Sequence, residues 1–471
     1  MNEATIGGWA KSEFGRAQLG DVRRTKRLVQ MAKAVGAAPS GRVTQVFREM
    51  REREGAYDLL QNEHVQLKDV ADAMFAATVA RAETPFVYVA IDGSSLTLTD
   101  GTHDKGFGRI GSDNHGGRGL KVMNALAIAP NGTPVGLIAQ QYWARADVET
   151  PANKKAKEQR NRARPFSMKE PSRFVEAAQD SVKRFAAGGV RAWLVIDRES
   201  DNHDIMRRVA ELDCHFTFRG NWDRLVAQTD AKVTVREALA AQPILGTYEV
   251  EIGRTGNRSA RTATMNARSK EVELRLRMKH GKGREHRLLV TAVWVTETEV
   301  SAKNSNGEPL EWLLYTNVSV QTADDANAVV RGYAYRWRVE EFHRTWKSGT
   351  CNAEDMQLRS FETATIWATI LAANAVRIER IKYLSRTTPD AAATLILRPV
   401  EIETLIRLRR IEKKEDVVTK PTLQHVTHWI AELGGWIAQN GPPGAITLSR
   451  GLERLGHYTK GFELASPTIP T

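Results

Sequence analysis

The 471-residue sequence predicts a mixed α/β core with helical segments on either side. Three observations carry that expectation. Short β-rich apolar runs stop abruptly at acidic or turn-forming residues, a long helical pattern lies between two of them, and 3.6-residue periodicity returns over the final third. Reading from the start, residues 1–66 read as short helices. The segment Leu19-Gly-Asp-Val-Arg-Arg-Thr-Lys-Arg-Leu28 places Asp21 as an N-cap and projects Arg23, Arg24 and Arg27 from a basic helix. That helix suits DNA docking, or is simply a charged surface helix.

Residues 67–378 form the predicted central domain. Phe86–Ile91 reads as a strand that ends at Asp92, and Val122–Ala129 with Val135–Ala139 reads as a hairpin about Asn131-Gly132. A helix over 171–187 leads through Gly188-Gly189 into the strand Ala192–Ile196, which ends at Asp197. Residues from about 220 to 316 look like a β insertion, with Tyr248–Ile252, Glu271–Met278, Leu288–Val295 and Trp312–Thr316 as its strands. Helical patterning resumes over 323–347, and residues 379–471 read as a helical C-terminal domain.

Composition narrows the function. Hydrophobic residues are 41% and charged residues 26% of the chain, and no apolar stretch approaches the roughly 18 residues of a membrane span. The start of the sequence lacks a secretory pattern, and two cysteines, Cys214 and Cys351, are too few for a disulfide framework. A cytoplasmic protein with no membrane partner is expected. The net charge of +12 points to a polyanion, nucleic acid first, although a basic enzyme of another kind shares that property. Seven Lys/Arg against one acid over 154–169, and eleven against three over 254–287, concentrate the charge. Such runs suit a phosphate-binding groove, or else are solvated loops.

Candidate chemistry rests on three carboxylates. Asp92 and Asp197 each follow an apolar strand, where an open α/β sheet places its crevice, although a lone aspartate there is more often a cap. In the helix Tyr333-Ala-Tyr-Arg-Trp-Arg-Val-Glu-Glu-Phe-His-Arg-Thr-Trp-Lys347, the residues Tyr333, Arg336, Arg344 and Lys347 fall within roughly 40° of Glu340 on one stripe. An acid among three cations and a phenol suits a metal ion with phosphates around it, or a solvated face of ion pairs. Three acids fit Mg²⁺, with Mn²⁺ as a substitute, and paired ions can drive in-line attack on a phosphodiester. His343, next to this stripe, is a candidate DNA contact. Gly106-Phe-Gly-Arg-Ile-Gly111 reads as a loop and not as a dinucleotide site, and Cys214 and His215 lack the partners for zinc.

The spacing of Tyr333, Arg336, Glu340 and Lys347 resembles the Y-(2)-R-(3)-E-(6)-K signature of the IS-four family of bacterial transposases. Arg336–His343, Asp197-Arg-Glu-Ser-Asp201 and Leu19–Thr25 resemble the Tn-five type in particular. The resemblance implies an RNase H-like catalytic core in which Asp92, Asp197 and Glu340 form a DDE triad on two Mg²⁺ ions. It also implies a homodimer on double-stranded transposon ends that nicks, forms and reopens a hairpin, and joins the ends to target DNA. Trp312 corresponds to a tryptophan that stacks on a flipped base, with core packing as its other reading, and Arg219 to an arginine facing the DNA end. One departure is Arg344 where the Tn-five type has lysine. A stand-alone nuclease of the same fold and a transposase-derived DNA-binding inhibitor are the alternative readings.

Overall fold

The computed structural model describes residues 6–111, 117–146, 155, 159–160, 163–227, 232–252, 261–277, 285–303 and 309–465. Parts of the two basic runs of the sequence, residues 154, 156–158, 161–162, 254–260 and 278–284, lie outside these residues.

The N-terminal helices are α1 (Ile6–Phe14), α2 (Val22–Ala37), α3 (Val43–Val46), α4 (Met50–Leu60) and α5 (Leu67–Arg81). Asp21 caps α2 as its sequence suggests, accepting from the Arg23 amide at 2.8 Å. Leu28, Met31, Ala32 and Val35 bury the inner face of α2. These residues join the same hydrophobic core as the central sheet, so the N-terminal helices are packed onto the sheet and do not form a detached module.

Among the described residues the sheet has ten strands in one mixed layer. Strands β1 (Phe86–Thr97), β2 (Gly108–Arg109), β3 (Arg118–Ile128) and β4 (Pro134–Trp143) are joined antiparallel. Helix α6 (Ser172–Ala187) then crosses over to β5 (Arg191–Ile196), which pairs parallel with β1, and α7 (His203–Ala210) leads to β6 (His215–Arg219), parallel to β5. Helix α8 (Val235–Ala240), strands β7 (Gly246–Ile252), β8 (Arg261–Arg277) and β9 (Glu285–Glu297), and helix α9 (Glu299–Lys303) fill the insertion. Strand β10 (Glu311–Thr316) returns between β6 and β9, so the inserted strands extend the core sheet instead of forming a separate one.

Two local expectations are corrected. Strand β1 does not stop at Ile91 but runs to Thr97, so Asp92 lies within a strand. Pairing with β3 continues through Thr97↔Gly119, which keeps the polar half of β1 extended. The Gly106–Gly111 segment also contains a strand, because Gly108 and Arg109 pair with β3. A Cβ at Gly108 would sit 2.2 Å from the Arg145 carbonyl oxygen, a close approach that only glycine permits.

Helices α10 (Ala323–Tyr335) and α11 (Trp337–Lys347) meet at Arg336, where sequence periodicity suggests one helix. Backbone angles at Arg336 stay helical, φ −50° and ψ −33°, so the stripe is preserved across the junction. Phe342 and Trp346 are fully buried and stack with ring centroids 5.7 Å apart, which anchors the opposite face of α11. The 27-residue α12 (Phe361–Thr387) crosses the molecule and is buried along most of its length. A second hydrophobic cluster gathers α13 (Pro399–Ile411), α14 (Leu423–Leu433) and α15 (Ala445–Ala465) around Trp429 and Ile430.

Candidate active site

Register brings the two aspartates together. The parallel pairing of β1 and β5 ends at Ile91↔Ile196, so Asp92 and Asp197 are the next residues on neighbouring strands. Both follow five-residue apolar runs whose burial fixes the strands and presents the carboxylates at one level of the sheet. Asp197 also caps a short 3₁₀ turn by accepting from the Arg198 amide.

Helix α11 supplies the third acid through an arginine. One guanidinium nitrogen of Arg336, Nη2, lies 2.5 Å from Glu340 Oε1 and 3.3 Å from Asp197 Oδ2. Its other terminal nitrogen, Nη1, is buried with no hydrogen-bond partner among the described residues. Burial opposes the charge on Arg336, yet Asp197, Tyr333, Asp92 and Glu340 together hold it charged, above the usual arginine range. For Asp92, burial pushes the carboxyl up to about 7; Arg336 works against that, while the negative charges of Glu340, Asp197 and Glu199 add to it. The side chain of Asp92 nonetheless keeps 21% of its surface open.

Whether a metal ion fits follows from the donors. Asp92, Asp197 and Glu340 offer only carboxylate oxygens, the donor set of hard divalent cations. The orphaned Arg336 nitrogen lacks an acceptor, and burial leaves Asp92 without a nearby hydrogen-bonded cation. Among the described residues no three His, Cys, Asp or Glu side chains converge to ligand distance, and Arg336 stands between two of the acids. The donor chemistry fits, and closing the site requires Arg336 to yield.

The remaining predicted residues divide by position. Arg344 is exposed, and Lys347 Nζ lies 3.7 Å from Glu354, which also accepts from the Thr97 amide at 2.9 Å. Arg219, Trp312 and Tyr333 form one cluster. The Arg219 guanidinium lies 5.8 Å from the Tyr333 ring centroid and donates to its hydroxyl at 3.3 Å, while Trp312 meets that ring edge-on at 5.0 Å. Trp312 is only 8% exposed, so a base could stack on it only after this cluster opened. In the N-terminal segment, Arg23 is exposed and paired with Asp21, Arg24 donates to the Leu19 carbonyl, and Arg27 lies over Gly55 of α4.

His343 is the clear relocation. Its place beside Glu340 in the sequence makes it a candidate DNA contact, but the structure buries the ring, with Nδ1 3.7 Å from Asp92 Oδ2 and Nε2 2.9 Å from Asn124 Nδ2. Residue spacing along one helix cannot show which sheet residues lie beneath it. Sequence reasoning also passes over Lys121, whose charge β3 half-buries near Lys347 and Arg145; a lysine directly before the run Val122–Ala129 was the available signal.

Fold and site together define an α/β protein in which Arg336 bridges Asp197 and Glu340, with Asp92 on the next strand and cationic side chains along the helix. Residues 6–65 match the family model for transposase DNA-binding, and residues 172–376 match that for the transposase DDE domain. Asp197 and Glu340 lie inside the second match, and Asp92 precedes it. These matches support a DNA transposase with an RNase H-like catalytic domain of the DDE class, for which divalent metal is the general cofactor. Among the described residues, no helix is long and apolar enough to cross a membrane.

Proposed function

We propose that this protein is a cut-and-paste transposase of the IS-four family, near the Tn-five type, acting on double-stranded ends of its own element as a homodimer. The observation that carries the reading is that Asp92 and Asp197 end adjacent runs of paired strand, while Arg336 joins Asp197 to Glu340 on the helix bearing the Tyr-Arg-Glu-Lys spacing. Asp92, Asp197 and Glu340 would hold two Mg²⁺ ions, with Mn²⁺ as substitute. Bound there, the ions supply Lewis acidity and an activated oxygen nucleophile for phosphodiester attack.

The chain's own groups orient the DNA. Arg336 lies where it can exchange its carboxylates for a phosphate oxygen, because its free nitrogen lacks an acceptor. Arg344, Lys347 and Arg219 extend the cationic surface on either side, where phosphate contacts fix the register of the strand. Trp312 packs edge-on against Tyr333 and holds the Tyr333–Arg219 cluster in place. Arg23, Arg24 and Arg27 assign end recognition to the N-terminal helices, consistent with the match over residues 6–65.

The test is incubation of the protein and Mg²⁺ with DNA carrying the element's ends. Nicked, hairpin and excised products requiring paired ends are expected. Cleavage without a paired-end requirement would identify a stand-alone nuclease, and binding without cleavage an inhibitor.

A further inference from the structure

A row of buried polar side chains crosses the sheet next to the acids and has no part in the scheme above. Cross-strand pairing sets Asp92 on β1 opposite Asn124 on β3, and Asn124 opposite Gln140 on β4. The three therefore share one face of the sheet. Helix α11 lays His343 over this row, and α12 brings Thr369 to its far end. Asn124, Thr369 and Gln140 are all buried in an otherwise apolar layer, where unpaired polar groups are costly.

The hydrogen bonds run in one direction. Thr369 Oγ1 donates to Gln140 Oε1 at 3.0 Å, Gln140 Nε2 donates to Asn124 Oδ1 at 2.9 Å, and Asn124 Nδ2 donates to His343 Nε2 at 2.9 Å. An imidazole that accepts at Nε2 carries its proton on Nδ1 when neutral. The ring is buried, and with Nε2 accepting from Asn124 it is the neutral imidazole. Nδ1–H then faces Asp92 Oδ2 across 3.7 Å, longer than a hydrogen bond and short enough for a sub-ångström shift to close. Reversing both amides would instead set the Nδ1 lone pair against a carboxylate oxygen.

We propose that His343 is a positioning residue for the Asp92 carboxylate, its tautomer fixed by the Thr369–Gln140–Asn124 row. The row orients one Asp92 oxygen by an N–H donor and leaves the other for the metal ion. Outer partners of this kind typically change metal affinity 10- to 100-fold. The inference rests on the reading of Asp92 as a metal-binding carboxylate.

The test uses the full-length, DNA-free protein with Mn²⁺ as probe, read by the electron paramagnetic resonance of unbound Mn²⁺. In His343→Asn the side-chain amide nitrogen reaches the place of Nδ1 and keeps the donor to Asp92. In His343→Gln it reaches that of Nε2 and loses it. Affinity close to wild type in the first and about 10- to 100-fold weaker in the second is expected. Equal affinity in the two variants overturns the proposal. Asp92→Ala separates the two readings: if it binds Mn²⁺ as wild type does, Asp92 is not a ligand and both fall. If it weakens binding while the histidine variants match each other, the positioning role alone falls. Nitrogen-15 spectra of the metal-free wild-type protein read the tautomer itself, with the His343 signal identified by its loss in His343→Phe. A proton on Nδ1 is expected, and a proton on Nε2 refutes the row's polarity.

Discussion

Two arginine–carboxylate arrangements in this chain have the same chemistry and opposite outcomes. In the β insertion, Glu297 accepts from Arg261, from Ser301 Oγ at 2.7 Å and from the Leu310 amide at 3.0 Å. Its carboxyl is held down at about 2, with the Arg261 hydrogen bond as the main cause. In the site, Arg336 divides one cation among several acids, leaves Nη1 unpaired, and Asp92 is pushed up to about 7. A satisfied pair holds the fold, whereas a deficient cluster stores demand for a cation and a phosphate.

The largest expected effect breaks the deficient cluster. Arg336→Lys should slow cleavage by about 10²- to 10³-fold, because a single ammonium lacks the fork that serves two partners and a phosphate oxygen. Product-formation rates measure this, with end binding as the control. Retained rates would show that the arginine only balances charge.

Trp312→Ala is next. Its burial against Tyr333 predicts a stability loss of about 3 to 5 kcal/mol, with nicking and hairpin formation falling together. Melting temperature and product distribution decide, since selective loss of hairpins in a stable variant would instead favour base stacking.

The smallest effect sharpens the satisfied side. Glu297 has a folded pKa below its unfolded value near 4.5, so its contribution is full above that value and fades as pH falls toward about 2. Glu297→Gln should flatten the fall in stability over that window, as followed by denaturant unfolding at each pH. An unchanged slope would mean that other carboxylates dominate acid unfolding.

Much of this was legible in the sequence. The apolar runs before Asp92 and Asp197 place both acids because burial fixes those strands, and the Tyr333–Lys347 spacing survives because the junction at Arg336 keeps helical angles. What lies between elements was not legible. Local pattern cannot reveal that β1 continues past Asp92, since its pairing with β3 comes from residues some thirty positions away. Nor can it reveal that His343 turns inward onto Asn124, or that Trp312 is covered by Tyr333. Those contacts depend on how α10 and α11 lie across the sheet.

The central claim is that Asp92, Asp197 and Glu340 act as one centre for DNA cleavage. Asp197→Ala tests it most directly, because Asp197 touches Arg336, follows the Asp92 register and lies at the surface end of its strand. Cleavage of end-bearing DNA with Mg²⁺ should be lost while the folded variant still binds those ends, since a ligand and not a phosphate contact has been removed. Metal-dependent cleavage at the wild-type rate by this variant would contradict the account.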